Sequence, residues 1–227
     1  MNKVELLKNV SIFNGLSGDE LGYISKKMVP KSYDVGQVII LEESEGDDCF
    51  FVTEGSVKIT RLSKDGREVI LAILNDGEFF GEMALLDGDL RSANVIALEK
   101  TDALTLKRKD FIDSLKKYPQ IAIQLLKEMA HRLRESDRQI TSLSLSDAEK
   151  RIALSLLRIS DEQGVIKKGK VIISKPPIQQ DIANMAGTSR ETVSRTLKIL
   201  EDERFIDRNG HELVIINYNQ FKEEFGS

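Results

Sequence analysis

The 227-residue sequence predicts an α+β fold in three successive parts: a β-rich N-terminal domain, one long helix, and a C-terminal winged helix-turn-helix. Three observations carry this. Short β-branched and aromatic runs between residues 36 and 97 alternate with glycine turns. Apolar residues then step by three and four along residues 126–143. Last, two short helical segments joined through a glycine precede an Asn-Gly hairpin signal.

In the β region the strand candidates are Val38-Ile39-Ile40-Leu41, Phe50-Phe51-Val52, Val57-Lys58-Ile59 and the run Val69 to Leu74. Gly55, Gly66, Gly77 and Gly88 recur every eleven residues, three of them after Asp65, Asp76 and Asp87, which is the turn spacing of a barrel or sandwich. The residues between them differ, so they are compact turns, not a solenoid repeat. From Asp110 to about Ile140 the pattern becomes helical. Leu126, Met129, Leu133, Ser136, Ile140 and Leu143 form a coiled-coil seam. A seam of this period predicts a partner helix, most simply the same helix of a second subunit across a two-fold axis. Its polar member, Ser136, has two readings: a tolerated small residue, or a hydroxyl turned toward something buried at the interface.

Beyond the seam, Ser146-Asp147-Ala148-Glu149 reads as a capping box opening a helix through Ile159, and the polar stretch Ser160 to Lys170 as a loop. Pro176-Pro177 precedes a helix over Ile178 to Ala186 that Gly187 ends, and a second helix runs from about Ser189 to Asp202. Phe205 to Arg208 and His211 to Ile216 flank Asn209-Gly210, which completes a winged helix. The expected domains are residues 1–109, 110–145 and 146–227.

Composition narrows the function. The chain holds 33 basic and 37 acidic residues, a net charge of −4, which on its face argues against nucleic acid. Divided after Asp137, however, the charge is −5 before and +1 after, so the acidity belongs to the first part. The longest apolar run, Val69 to Leu74, is six residues and spans no membrane. No export signal is visible at Met1-Asn2-Lys3-Val4-Glu5, so a cytoplasmic location is expected. One cysteine, Cys49, and two histidines, His131 and His211, cannot build a zinc or thiolate cluster, so no metal is expected and Cys49 reads as a residue buried in the β region. No Ser-His-Asp, Cys-His or paired-carboxylate constellation accompanies them, so no enzyme is expected.

One segment of the β region, Phe80 to Ala93, carries the chemistry of a phosphate site. A cyclic phosphodiester bears one negative charge and needs few, well-placed donors. Gly81 lets the backbone approach closely, the amides of Glu82, Met83 and Ala84 open a short helix whose positive end faces an anion, and Arg91 pairs with phosphate oxygens. Ser92 adds a hydroxyl and an amide. The alternative is a surface ion pair between Glu82 and Arg91 across a turn, worth about 0–1 kcal/mol. The run resembles the phosphate-binding cassette of cyclic-nucleotide-binding domains. That resemblance implies a jelly-roll-like β-roll and a Glu82 that accepts from the ribose 2′-hydroxyl.

Gly187-Thr188-Ser189-Arg190-Glu191-Thr192-Val193-Ser194-Arg195 closely resembles the recognition helix of the Crp/Fnr transcription factors, and the resemblance extends over essentially the whole chain. It implies a homodimeric, sequence-specific DNA-binding regulator, allosterically controlled by an effector bound between roll and dimer helix, and an RNA polymerase partner. Gln179 and Gln180 fall on the first helix of its DNA-binding unit, and Thr188, Ser189, Arg190, Glu191, Ser194 and Arg195 on the second. Arginine grips guanine O6 and N7 bidentately and glutamate accepts from cytosine N4, so these residue types suit base readout. A capping box Thr188-x-x-Glu191 with an i,i+4 pair from Glu191 to Arg195 accounts for the same residues without DNA. The expected target is an inverted repeat of TGTGA- or TTGA-like half-sites. Lys167, Lys168, Lys170 and Lys175 read as a solvated loop, with contacts to phosphates or polymerase as the alternative.

In that family, polar residues of the dimer helix hold the purine, and Ser136 and Asp137 align there. Asp137 departs from the family's hydroxyl: a carboxylate accepts from adenine's amine, but it also suits guanine's donors and repels phosphate. The expected effector is cAMP, with cGMP or another nucleotide and effector-independent action as alternatives, and no other cofactor. The implied mechanism is a shift between dimer states through a hinge near residues 138–145. A nucleotide-sensing subunit acting through protein contacts is the rival, against which the winged helix speaks.

Overall fold

A computed structural model describes residues 3–63, 66–145, 147–167, 169–209 and 212–226, with only the backbone of 141–145 and 209. The chain divides into two compact units, residues 1–134 and 135–227.

The first unit opens with α1 (Lys3–Lys8), a 3-10 turn (Ser11–Phe13) and α2 (Gly18–Ser25). α2 begins on a capping box, in which the Ser17 hydroxyl accepts from the Glu20 amide and Glu20 accepts from the Ser17 amide. The strands are β1 (Val29–Tyr33), β2 (Val38–Ile40), β3 (Asp48–Glu54), β4 (Ser56–Leu62), β5 (Glu68–Asn75), β6 (Phe79–Phe80), β7 (Asn94–Ala97) and β8 (Thr101–Lys107). Between β6 and β7 lies α3 (Glu82–Asp87). The strands pair antiparallel into two four-stranded sheets, ordered β1-β8-β3-β6 and β2-β7-β4-β5. β3 explains why its sequence is a continuous apolar run. Phe50 and Val52 join a cluster with Val57, Leu74, Phe80 and Val95, while Cys49 and Phe51 join a second cluster with residues of α1, α2 and the helices that follow β8. A strand covered on both faces loses the alternation of a half-exposed one. The eleven-residue glycines all adopt positive φ, but Gly88 ends α3 whereas Gly55, Gly66 and Gly77 turn between strands. Asp65 lies outside the described residues.

The single helix expected from Asp110 is two. α4 (Arg108–Lys117) stops at Tyr118, and α5 (Pro119–Leu145) starts on Pro119. Proline has no amide with which to continue α4, and its fixed φ suits a first helical position. α5 stays helical through residues 138–145, where a hinge was expected. Its Ile121 and Leu125 are buried, and Met129, read from sequence as a seam residue, packs partly on the same cluster. Ile123, Leu126, Leu133 and Ile140 are 55%, 68%, 64% and 62% exposed. Leu143's side chain lies outside the described residues.

In the second unit α6 (Ala148–Gln163) is capped by Asp147, whose carboxylate accepts from the Lys150 amide at 2.9 Å. Ser146, the cap expected from sequence, lies outside the described residues. The stretch 160–170, expected as a loop, is the end of α6 and a hairpin of β9 (Val165–Lys167) and β10 (Lys170–Ile173). Then come α7 (Gln179–Ala186), α8 (Arg190–Asp202), β11 (Ile206–Asn209), β12 (Glu212–Ile215) and α9 (Tyr218–Phe225), with a sheet ordered β11-β12-β10-β9. Gly210 and His211, at the hairpin turn expected from sequence, lie outside the described residues. α9 was not legible as an element; it sets Phe221 and Phe225 against Phe205, with ring centroids 5.9 and 5.2 Å away. Among the described residues no helix is long and apolar enough to cross a membrane.

Candidate functional sites

Gly81 is the hinge of the cassette. Its left-handed backbone (φ 80°, ψ 5°) lets the chain turn from buried β6 straight into α3, and no side chain caps the helix there. The N-cap position itself therefore supplies no acceptor to the first-turn amides of α3. Arg91 is buried, 7% exposed, and donates from Nη1 to the Gly81 carbonyl at 2.6 Å and from Nη2 to the Asp48 carbonyl at 2.7 Å. The β2–β3 loop grips its backbone: the Arg91 amide donates to Ser44 and the Glu43 amide to Arg91. Two glycines make room for the guanidinium. A Cβ on Gly46 would lie 1.9 Å from Arg91 Nε, and one on Gly81 would lie 2.7 Å from Nη1. Burial pulls the Arg91 pKa down against the opposing charge of Asp48, but an arginine remains charged at neutral pH.

Glu82 does not pair with Arg91, so the surface ion pair expected as an alternative is not formed. Both residues are buried, Glu82 to 2% exposure. Its Oε1 accepts from Arg132 Nη1 at 3.1 Å, while Oε2 is buried with no hydrogen-bond partner. Arg132 comes from α5, donates also to the Phe79 carbonyl at 2.7 Å, and lies 4.7 Å from the centroid of the Phe79 ring. Sequence reasoning missed it and Gly46; the only local sign of Arg132 was its i,i+4 spacing from Glu128, with which it pairs at 3.3 Å. Met83 and Ser92 are exposed and Ala84 is buried, and the Ser92 hydroxyl lies 3.8 Å from the Met83 sulfur. Cys49 is fully buried and its thiol pKa is pushed well up by burial, so it is held as an inert thiol.

Burial raises the Glu82 pKa, outweighing the opposing pull of Arg132 and then Arg91. A carboxyl whose folded pKa lies above its unfolded value contributes stability that is complete below the ordinary carboxylate range and is lost as pH rises through the raised value. Glu82→Gln is therefore expected to gain in melting temperature relative to wild type as pH rises from acid to neutral. Parallel melting curves at every pH would refute this.

On α5, Ser136 and Asp137 are exposed and lie between Leu133 and Ile140. They belong to the second unit. In the helix-turn-helix, Gly187 closes α7 in the left-handed region (φ 59°, ψ 48°), and the Thr188 amide donates to the Ala183 carbonyl at 3.0 Å. The cap of α8 is Ser189, whose hydroxyl accepts from the Thr192 amide at 3.2 Å. The Thr188–Glu191 capping box read as an alternative is thus displaced by one residue, and no ion pair joins Glu191 to Arg195 among the described residues. Val193, Thr196, Leu197 and Leu200 are buried, which leaves Ser189, Arg190, Glu191, Ser194 and Arg195 on the exposed side, with Lys198 one turn beyond Ser194. Lys198 was not singled out from the sequence. The Glu191 carboxyl is held below its usual range by hydrogen bonds from its own amide and from Ser189. On α7, Gln180 is exposed and donates to Asn184 at 2.9 Å, and Gln179 opens the helix beside it. Lys167, Lys170 and Lys175 are exposed, and Lys168 lies outside the described residues.

A family model for the cyclic nucleotide-binding domain matches residues 30–118, and one for the Crp-like helix-turn-helix domain matches residues 150–224. The chain is 36% identical over 201 residues to the cyclic AMP receptor protein of Thermus thermophilus, covering 87% of this chain and 88% of that one. It is 28% identical over 211 residues to the CRP-like cAMP-activated global transcriptional regulator of Mycobacterium tuberculosis, covering 93% and 94%. Among solved structures, FixK2 from Bradyrhizobium japonicum matches with a TM-score of 0.77 and 25% identity, over 86% of this chain and 96% of that one.

Proposed function

The chain belongs to the Crp/Fnr family of transcriptional regulators, which bind DNA and are not enzymes, and from that premise we propose that it is a homodimer gated by cAMP that reads an inverted repeat. The observation that carries the effector reading is the buried, unpartnered Glu82 Oε2 in the segment that also places Gly81 and Arg91 together. A buried acceptor without a donor is costly, and a ligand hydroxyl supplies the missing partner. The residues present fit a cyclic nucleotide. Arg91, Ser92 and the amides of Glu82, Met83 and Ala84 hold the phosphate, and Glu82 takes the ribose hydroxyl. Ser136 and Asp137 meet the base, with Asp137 accepting from an exocyclic amine. Relatives named for cyclic AMP favour adenine.

In this reading residues 1–109 sense, 110–145 dimerise and 146–227 read DNA, in the cytoplasm and with RNA polymerase as the downstream partner. Bound nucleotide favours the dimer state that sets the two α8 helices about one DNA turn apart. Arg190, Glu191 and Arg195 read base edges in TGTGA- or TTGA-like half-sites, with Ser194 beside them. Gln179, Gln180, Thr188 and Ser189 position the protein on the backbone. A thermal-shift screen with cAMP and cGMP tests the effector, since a ligand that binds only the folded state raises the melting temperature. A shift with cAMP is expected. A larger shift with cGMP that Asp137→Ser reverses would replace adenine by guanine, and no shift with either would leave an effector-independent regulator. For DNA readout, Arg195→Ala is expected to cost about 1–3 kcal/mol on a specific duplex and nothing on a random one. Equal losses on both would reduce Arg195 to a phosphate contact.

A further inference from the structure

We propose that Arg151 is a positioning residue for the recognition helix, a guanidinium brace that ties the first turn of α6 to the turn between α7 and α8. Its Nε donates to the Ala186 carbonyl at 2.8 Å and its Nη2 to the Gly187 carbonyl at 3.4 Å. These are consecutive carbonyls at the negative end of α7, where a cation is favoured. At its C-terminal end α7 closes on Ala183, whose carbonyl receives the amides of both Gly187 and Thr188. The carbonyls of Ala186 and Gly187 point past that closure, and Arg151 supplies donors to both. Two residues later Ser189 caps α8, so whatever sets the Gly187 peptide sets the start of the reading helix.

The other end of the brace is equally fixed. The Arg151 amide donates to the Asp147 carbonyl, the N-cap of α6, at 3.1 Å, and its carbonyl accepts from the Ser155 hydroxyl at 2.9 Å. Asp147 follows directly on the segment that joins α5 to α6. A shift of the first turn of α6 is delivered through Arg151 to the turn that aims α8, by hydrogen bonds from a planar fork with fixed geometry. Packing alone is less directional: the apolar contacts of α6 with α7 and α8 tolerate small rotations that two hydrogen bonds to adjacent carbonyls do not.

The test rests on DNA reading by this family member and separates the two claims. The full chain, with saturating cAMP, selects a duplex from a random pool. Fluorescence anisotropy then compares wild type, Arg151→Met and Arg151→Lys on the selected duplex and on an unrelated one across a salt series. Arg151→Met is expected to lose about tenfold or more on the selected duplex and nothing on the unrelated one, with the salt slope unchanged. Lysine keeps the charge but lacks the fork, and is expected to fall between. Equal losses on both duplexes with a salt slope shallower by about one would make Arg151 a phosphate contact and overturn the brace. So would wild-type affinity in Arg151→Met or, if circular dichroism shows that variant unfolded, in Arg151→Lys. Failure of the wild type to select any duplex would instead overturn DNA reading itself.

Discussion

Arg91→Leu is expected to weaken cAMP binding by at least about thirtyfold, and up to several thousandfold, as measured by calorimetry. Removing one partner of a buried, hydrogen-bonded charge pair costs about 2–5 kcal/mol, and the phosphate brings the other charge. The loss has a structural component as well. Leucine leaves the Gly81 and Asp48 carbonyls without the donors that now reach them at 2.6 and 2.7 Å. Both bonds are part-buried, so each stranded carbonyl costs less than the roughly 1–3 kcal/mol of a fully buried one, and the melting temperature should still fall. Gly46→Ala separates the two effects. Its methyl would press to 1.9 Å from Nε, so the guanidinium must move although its charge is kept. Lower affinity in both variants fits a phosphate held by a placed arginine. Unchanged affinity in folded Arg91→Leu would remove Arg91 from the site.

These two variants also show where sequence reading reaches its limit. The cassette from Gly81 to Ser92 was legible because its chemistry is local: glycine, helix start and arginine lie within twelve residues and keep their roles on folding. Gly46 and Arg132 were not. Gly46 matters because a side chain 45 positions away fills the space its Cβ would take, and Arg132 because α5 carries it to Glu82, 50 positions back. Gly46 leaves no periodic or spacing signal, and the i,i+4 spacing of Arg132 from Glu128 points along its own helix and not to Glu82. The helix-turn-helix was legible down to Gly187, whose left-handed conformation is the one glycine is used for. The alternative Thr188 capping box falls one residue early because Thr188 and Ser189 are both competent caps, and the Thr188 amide closes on Ala183 while the Ser189 hydroxyl takes the Thr192 amide. The break at Pro119 was readable in principle from proline's missing amide. A continuing apolar rhythm concealed it, because α4 and α5 both lay apolar residues on the same cluster. The charge division kept its meaning only over the first part of α8, where Arg190, Arg195 and Lys198 stand exposed against Glu191; Glu201 and Asp202 at its end make the helix as a whole neutral.

Leu133→Asp is expected to turn a dimer into a monomer, raising the dissociation constant by three orders of magnitude or more in sedimentation equilibrium. Leu126, Leu133 and Ile140 recur at intervals of seven along α5, each between 62% and 68% exposed. Exposure of one such residue is ordinary, but a stripe at the coiled-coil period is the surface of a helix awaiting another helix. Burying a leucine is worth about 1.5–3 kcal/mol, and a two-fold axis doubles it, so loss of both leucines alone accounts for about 3–6 kcal/mol. Aspartate adds two like charges facing each other in the seam. The consequence reaches DNA: a monomer engages one half-site, loses the gain from tethering the second, and should bind an inverted repeat no better than a single half-site. The isolated fold should survive, because Leu133 belongs to neither apolar cluster of the first unit and is largely exposed. A Leu133→Asp protein that still sediments as a dimer would place the interface off this stripe. One that is monomeric yet reads the full repeat with wild-type affinity would show that dimerisation is not what brings two reading helices together.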